Sequence, residues 1–190
     1  LEREGTIVAG LVYNPANDDL FTAERGKGAF LNDHRLRVAG RRRLADAMVA
    51  CGLPHLGRGD LALAKKELAA VQEKVAGLRR FGAAALDLAW VAAGRLDAYW
   101  ERNLSPWDMA AGLLMVREAG GAAAHRDGRP YTARSGGAGL VVAADPVTLE
   151  RALDVQREVV LIEEVGVVDR GVLGQRGEAD GAGQAEVDGG

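Results

Sequence analysis

The segment 105–121 constrains the fold more strongly than any other part of this chain of 190 residues. Ser105 and Pro106 are residue types preferred at the cap and at the first position of a helix, and Gly120 is typical of a helix end. Between them nearly every side chain is apolar, with Asp108 in the first turn and two charged residues in the last. A helix with so little polar surface is predicted to be buried, so other elements must cover its sides.

The flanking sequence predicts those covering elements. A meander of short antiparallel strands is expected first, because apolar runs over 6–13, 20–23, 29–31 and 36–38 are separated by turn residues. Strands and helices then alternate over 47–153, which favours a layered α/β domain. The predicted strands cover 47–52, 78–81, 95–101, 121–125 and 140–144. The other predicted helices are an amphipathic one capped by Asp60 and ended by Gly77, a buried one over 83–93, and a last one from Pro146.

Composition narrows the class of protein. The chain is 48% hydrophobic and 27% charged, as is usual for a soluble domain. Its net charge of -3 gives no electrostatic basis for a nucleic-acid partner, and no apolar run approaches the roughly 20 residues that a membrane span needs. A single cysteine, Cys51, excludes an intrachain disulfide, which fits a reducing, cytoplasmic location. We assign 1–158 to one domain and expect the aperiodic tail, 159–190, to be disordered or non-native.

Two carboxylates are the candidate functional groups. Asp108 lies in the first turn of the buried helix, where it either complements the helix dipole or serves as a rigidly held metal ligand. Glu101 ends a predicted strand seven residues earlier, and strand ends and helix starts can face one crevice in an open α/β sheet. A solvated Glu on a loop is the alternative, and the residues alone favour it.

The small residues at the start of the helix over 83–93 are a second candidate feature. Gly82, Ala83 and Ala84 leave free backbone N–H groups accessible to an anion or a hydroxyl. Close helix packing explains an Ala-rich segment equally simply, and the residues alone favour that explanation. The Gly26-Lys27-Gly28 turn lacks the spacing of a phosphate-binding loop and is interpreted as a hairpin turn.

Four motifs, in order along the chain, resemble the inositol monophosphatase family. The most specific is the Trp107-Asp108 pair, which opens a helix ending in Glu-Ala-Gly-Gly at 118–121. The others are Gly-Leu-Val-Tyr-Asn-Pro at 10–15, the hairpin over 21–32 and the block over 82–101. The resemblance covers about 5–153. It implies the C-terminal portion of the alternating α-β-α-β-α sandwich that this family shares with fructose-1,6-bisphosphatase-like proteins.

The resemblance also implies residue roles. Asp108 matches a ligand of the family's Mg²⁺. The positions matching substrate contacts are Glu101, Gly82, Ala83 and Ala84, with Arg80 just before them. Asp87 and Asp97 match family positions as well, and we expect structural roles for both. The implied reaction is hydrolysis of a small-molecule phosphate ester, namely inositol monophosphate or a similar polyol phosphate. Family members are commonly dimers, which allows a homodimer here.

Two family motifs do not occur in this sequence: a Gly-Glu-Glu, and an Asp-Pro-x-Asp-Gly-Thr that supplies most metal ligands and a Thr that helps activate the water. We therefore interpret the chain as an N-terminally truncated member that is inactive alone, and we identify no catalytic residue in it. The alternatives are a phosphatase of the same superfamily acting on histidinol phosphate, another sugar phosphate or a nucleotide, and a non-catalytic truncated pseudoenzyme.

Overall fold

The structure is a computed structural model that describes residues 1–55, 57, 59–125, 127–129, 131, 140–143, 147–155, 157 and 159. The strands are β1 (Glu2–Arg3), β2 (Thr6–Ile7), β3 (Ala9–Asn14), β4 (Asp19–Glu24), β5 (Gly28–Leu31), β6 (His34–Arg35), β7 (Met48–Cys51), β8 (Gly77–Arg79), β9 (Ala98–Glu101), β10 (Ala122–His125) and β11 (Leu140–Ala143). The helices are α1 (Leu61–Gln72), α2 (Ala84–Ala92), α3 (Pro106–Glu118) and α4 over 147–155. The predicted mixed α/β class is confirmed.

Helices α2 and α3 lie between two sheets. A four-stranded antiparallel sheet has the order β3-β4-β5-β6, and a five-stranded sheet has the order β10-β11-β9-β7-β8. Helix α3 packs on β3, β4 and β5 on one side and contacts β10, and α2 contacts β9. One apolar cluster joins both helices to both sheets, through Phe21, Leu88, Tyr99 and Met115 among others. The prediction that segment 105–121 forms a buried helix is therefore confirmed.

The other face of the five-stranded sheet carries α1 and α4. Because neighbouring residues of a strand point to opposite faces, Val49 and Ala98 belong to a second apolar cluster. Val71 of α1 and Leu153 of α4 complete that cluster. The described residues thus form four successive layers of the expected α-β-α-β-α order: sheet, helices, sheet, helices.

Glycine permits the close approach of α3 to its neighbours. A Cβ at Gly10 of β3 would lie 2.8 Å from Ala111 Cα, so the strand and the helix meet backbone to backbone. A Cβ at Gly112 would overlap Leu88 of α2. These contacts bring the two helices and the four-stranded sheet together more tightly than larger side chains would allow.

Several predicted boundaries were wrong. Helix α1 begins after its Asp60 cap as predicted but ends at Gln72, because Gly77 pairs with Met48 and so opens β8. The first predicted strand, 6–13, is divided in the structure into two strands, β2 and β3. The strand predicted over 36–38 is replaced by β6, His34–Arg35, which pairs with β5. Residues 144–146 lie outside the described residues, as does the predicted tail 159–190 apart from Val159.

Asp97 has the structural role expected for it. Its carboxylate is fully buried and accepts two hydrogen bonds of 2.9 Å from Arg41 Nε and one of 2.8 Å from the Met48 N–H. It therefore joins the start of β7 to the loop before β9. Among the described residues, no helix is long and apolar enough to span a membrane.

Candidate functional site

A cleft of about 630 Å³ opens at the carboxyl ends of β7 and β9. These two strands are parallel, with Cys51 opposite Trp100, so both chains leave the sheet at the same edge. Chain segments that follow parallel strands converge there and can form a binding site. The cleft is lined by Gly52, Leu53, Pro54, His55, Gly59, Asp60, Ala64, Glu67, Trp100, Glu101, Arg102, Asn103, Leu104, Ser105, Trp107 and Asp108.

Glu101 occupies the floor of this cleft at the end of β9. Its Oε2 accepts a hydrogen bond from the hydroxyl of Tyr99, which is completely buried. Its carboxyl group also fills the space in which any side chain at Gly52 would begin. Burial raises the pKa of Glu101 above its ordinary value, and the negative charge of Asp108 raises it further. The Tyr99 hydrogen bond and the positive charges of His55 and Arg80 oppose this increase.

Asp108 lies on the wall of the same cleft, in the first turn of α3. Its Oδ2 accepts a hydrogen bond of 2.9 Å from the Ser105 N–H, which fixes the carboxylate against the start of the helix. The described residues supply no hydrogen bond to Oδ1. The structure therefore brings the strand-end carboxylate and the helix-start carboxylate into one cleft, the arrangement that the residues alone had left as the less favoured alternative.

Gly82, Ala83 and Ala84 form the start of α2 beside this cleft and are not among its lining residues. Gly82 has a φ of +85°, a conformation that favours glycine, and a Cβ there would meet no atom within 4 Å. Arg80 is exposed just before this turn, and its charge acts on the Glu101 carboxylate. The predicted binding segment thus lies outside the lining of the cleft that holds Glu101 and Asp108.

Asp87 is a third acidic group, to which the sequence assigned only a structural role. It is 1% exposed, and its Oδ1 has no hydrogen-bond partner among the described residues. Burial raises the pKa of Asp87 to about 7, and the charge of Glu101 contributes to this increase. A backbone hydrogen bond from Ala83 opposes it and ties the carboxyl group to the start of α2.

An ion pair on the cleft wall was missed by sequence reasoning. Glu67 of α1 is 2% exposed and pairs with Arg102, which directly follows Glu101. Arg102 donates from Nε at 3.0 Å and from Nη2 to the same carboxylate oxygen. The pair joins α1 to the connection between β9 and α3. No local signal could have found it, because the partners are 35 residues apart.

The carboxylates of the cleft are the type of ligand that a magnesium ion prefers, but there are too few of them to hold the ion. Mg²⁺ prefers hard oxygen ligands and often uses one or two protein carboxylates together with water and substrate phosphate. Asp108 supplies one such ligand. Within the described part of the chain, no group of three or more His, Cys, Asp and Glu side chains is arranged to hold a metal ion. These residues therefore fit part of a magnesium site.

The structure defines a layered α/β protein with two carboxylates in one cleft at its strand and helix ends. Comparison with known proteins identifies the family. The model of the inositol monophosphatase family matches residues 1–161, so the chain belongs to that family. The inositol-1-monophosphatase of Mesorhizobium japonicum is 56% identical over 153 residues. The Nus factor SuhB of Pseudomonas aeruginosa is 48% identical over 120 residues.

A solved structure agrees with this membership. The extragenic suppressor protein suhB from Bartonella henselae superposes with a TM-score of 0.74 and 53% sequence identity, over 80% of this chain and 58% of that one. The Mesorhizobium match covers 80% of this chain and 56% of the relative, and the Pseudomonas match covers 62% and 44%. The chain thus spans about half the length of the relatives it matches.

Proposed function

We propose that this chain forms the substrate-recognising part of a magnesium-dependent phosphomonoesterase that hydrolyses inositol monophosphate or a similar polyol phosphate. The observation that carries the proposal is the common cleft of Glu101 and Asp108, at the carboxyl ends of β7 and β9. The name inositol-1-monophosphatase, given to relatives that are 56–61% identical, supports the polyol substrate.

In this proposal the two carboxylates have different roles. Asp108 directs Oδ1 to Mg²⁺, because the Ser105 N–H occupies its Oδ2. Magnesium, when bound, supplies an acidified water and neutralises phosphate charge. Glu101 accepts hydrogen bonds from substrate hydroxyls. Gly82, Ala83 and Ala84 offer backbone contacts at the rim, and the exposed guanidinium of Arg80 supplies a positive charge near the substrate.

We further propose that the 190-residue chain is inactive by itself. Asp108 is a single carboxylate, and the metal-assisted reaction needs a cage that holds the ion, the water and the phosphate together. The resemblance places the remaining ligands in motifs that this sequence lacks. A chimera that joins the upstream segment of the Mesorhizobium relative, carrying those motifs, to this chain would restore the cage.

The experiment measures magnesium-dependent phosphate release from inositol 1-phosphate by the chain and by the chimera. We expect turnover from the chimera only, and we expect Asp108→Asn to reduce kcat by at least about 100-fold because the ion loses a charged ligand. Asp46→Asn, which changes an exposed carboxylate far from the cleft, is the matched control and should leave kcat unchanged. Turnover by the 190-residue chain would disprove its inactivity. A chimera that hydrolyses no inositol, histidinol or nucleotide phosphate would refute the catalytic proposal.

A further inference from the structure

Glu101 is the one proposed substrate contact whose carboxylate is held by a buried side chain on the same strand. Tyr99 is two residues earlier on β9, so both side chains project to the same face of the sheet. The Tyr99 hydroxyl donates to Oε2 of Glu101 from a completely buried position. Directly after the neighbouring strand β7, Gly52 provides the space that the carboxyl group occupies. The hydrogen bond from Tyr99 holds the carboxylate, and the absence of a side chain at Gly52 makes room for it. Together they define the position of the carboxylate on the cleft floor.

We infer that Tyr99 is a positioning residue, which fixes Oε2 of Glu101 and so leaves Oε1 as the oxygen that accepts a hydroxyl of a polyol substrate. The identity of the ligand in this inference rests on the proposed function. The hydrogen bond by which Tyr99 holds Glu101 does not depend on that function. Among the described residues, no donor other than Tyr99 bonds the Glu101 carboxylate. A ligand hydroxyl that meets Oε1 therefore replaces no protein hydrogen bond.

The surroundings explain why the anchor is needed. Asp108 acts on Glu101 with like charge from α3. A flexible carboxylate would turn away from that negative charge and toward Arg80, whose positive charge attracts it. The Tyr99 hydroxyl is neutral, so it can hold the carboxylate against this repulsion without adding another charge to the floor of the cleft.

The first test is independent of any activity. The carboxyl carbons of glutamate are labelled with ¹³C in the 190-residue chain, and the Glu101 resonance is assigned as the one absent from Glu101→Gln. At a fixed pH of about 8, we expect Tyr99→Phe to move this resonance, because the carboxylate loses its hydrogen bond. Tyr131→Phe is the matched control: Tyr131 is also buried, its hydroxyl makes no hydrogen bond among the described residues, and its ring packs on His125.

The second test uses the chimera described above. We expect Tyr99→Phe to raise KM for inositol 1-phosphate about tenfold and to change kcat by less than about threefold, because the lost interaction orients a binding group. Tyr131→Phe should change neither. A Glu101 resonance that stays in place in Tyr99→Phe overturns the anchoring, and an unchanged KM in an active chimera overturns the positioning role. If the chimera has no activity, the proposed function fails, and the resonance still decides whether Tyr99 holds Glu101.

Discussion

Gly52→Ala tests the packing of the cleft floor more directly than any other single substitution. The backbone of Gly52 is outside the left-handed region, so alanine is not strained there by its φ. The added methyl group would overlap the Glu101 carboxyl carbon and both of its oxygens, whereas ordinary contact begins at 3.4 Å. Glu101 must therefore leave its position, and the hydrogen bond from Tyr99 is lost.

The magnitude follows from that lost bond. A hydrogen bond to a charged group contributes about 1.5–3 kcal/mol to the free energy of unfolding. The displaced carboxylate can turn into the open cleft and regain water, so we take the lower value, about 1.5 kcal/mol. Replacing glycine by alanine also stabilises a protein by about 0.4–1 kcal/mol through the unfolded chain, and this contribution must be removed by a control.

Gly40→Ala supplies that control, because a Cβ at Gly40 would meet nothing within 4 Å and its φ is not left-handed. With an m-value of about 2 kcal/mol/M in urea, Gly52→Ala should unfold at about 0.7 M lower urea than Gly40→Ala. The substitution is then repeated in a Glu101→Ala background, where the methyl group has room. We expect the difference between Gly52→Ala and Gly40→Ala to disappear there.

Either of two results would refute this reasoning. If Gly52→Ala and Gly40→Ala unfold at the same urea concentration, the carboxylate does not occupy the space beside Gly52. If the difference between them persists without the Glu101 side chain, the methyl group is opposed by something other than that carboxylate.

Two further predictions concern buried carboxylates. Asp97→Asn should lower the free energy of unfolding by about 2–3 kcal/mol, because Arg41 loses its charge partner while its own half-exposed side chain regains some water. The control, Asp46→Asn, changes an exposed carboxylate and should stay close to wild type in the same urea titration. Equal effects of the two substitutions would contradict the claim that burial makes the Asp97 ion pair important. The free energy of unfolding of Asp87→Asn should increase relative to that of wild type as pH rises from about 4 to about 7. The pKa of Asp87 is raised in the folded chain from 3.8 to about 7, so folded wild type loses stability over that interval, by about 4 kcal/mol at most. A difference that stays constant between pH 4 and pH 7 would show that Asp87 is not held in its neutral form.

The sequence predicted the elements that depend on local chemistry. Helix α3 begins at Pro106 after Ser105 and helix α2 spans 84–92, as the capping residues and the apolar runs indicated. The separation of Glu101 and Asp108 by seven residues, with a strand before and a helix after, suggested a shared cleft, although the residues alone favoured a solvated Glu101. Local signals sufficed because strand, turn and helix are consecutive there.

Features that depend on distant partners could not be predicted in this way. The periodicity of α1 continues past Gln72, but pairing of Gly77 with Met48 ends the helix earlier. Leu61, the apolar first residue of α1, is 53% exposed, whereas Glu67 is buried because Arg102 neutralises it. Tertiary contacts override helical propensity when they satisfy a charge or a sheet edge.

The position of Glu101 shows why the cleft depends on sheet register as well as on local sequence. Cys51 lies opposite Trp100 in the parallel pair, so the next residues along the two strands, Gly52 and Glu101, meet at the sheet edge. A slip of one residue in either strand would turn the Glu101 carboxylate to the other face of the sheet, toward the second apolar cluster. It would also place a residue larger than Gly52 beside that carboxylate. Asp97 opposes such a slip, because its buried carboxylate bonds the N–H of Met48 at the start of the neighbouring strand. A structural carboxylate at the beginning of the strand pair thus sets the geometry of the candidate binding carboxylate at its end.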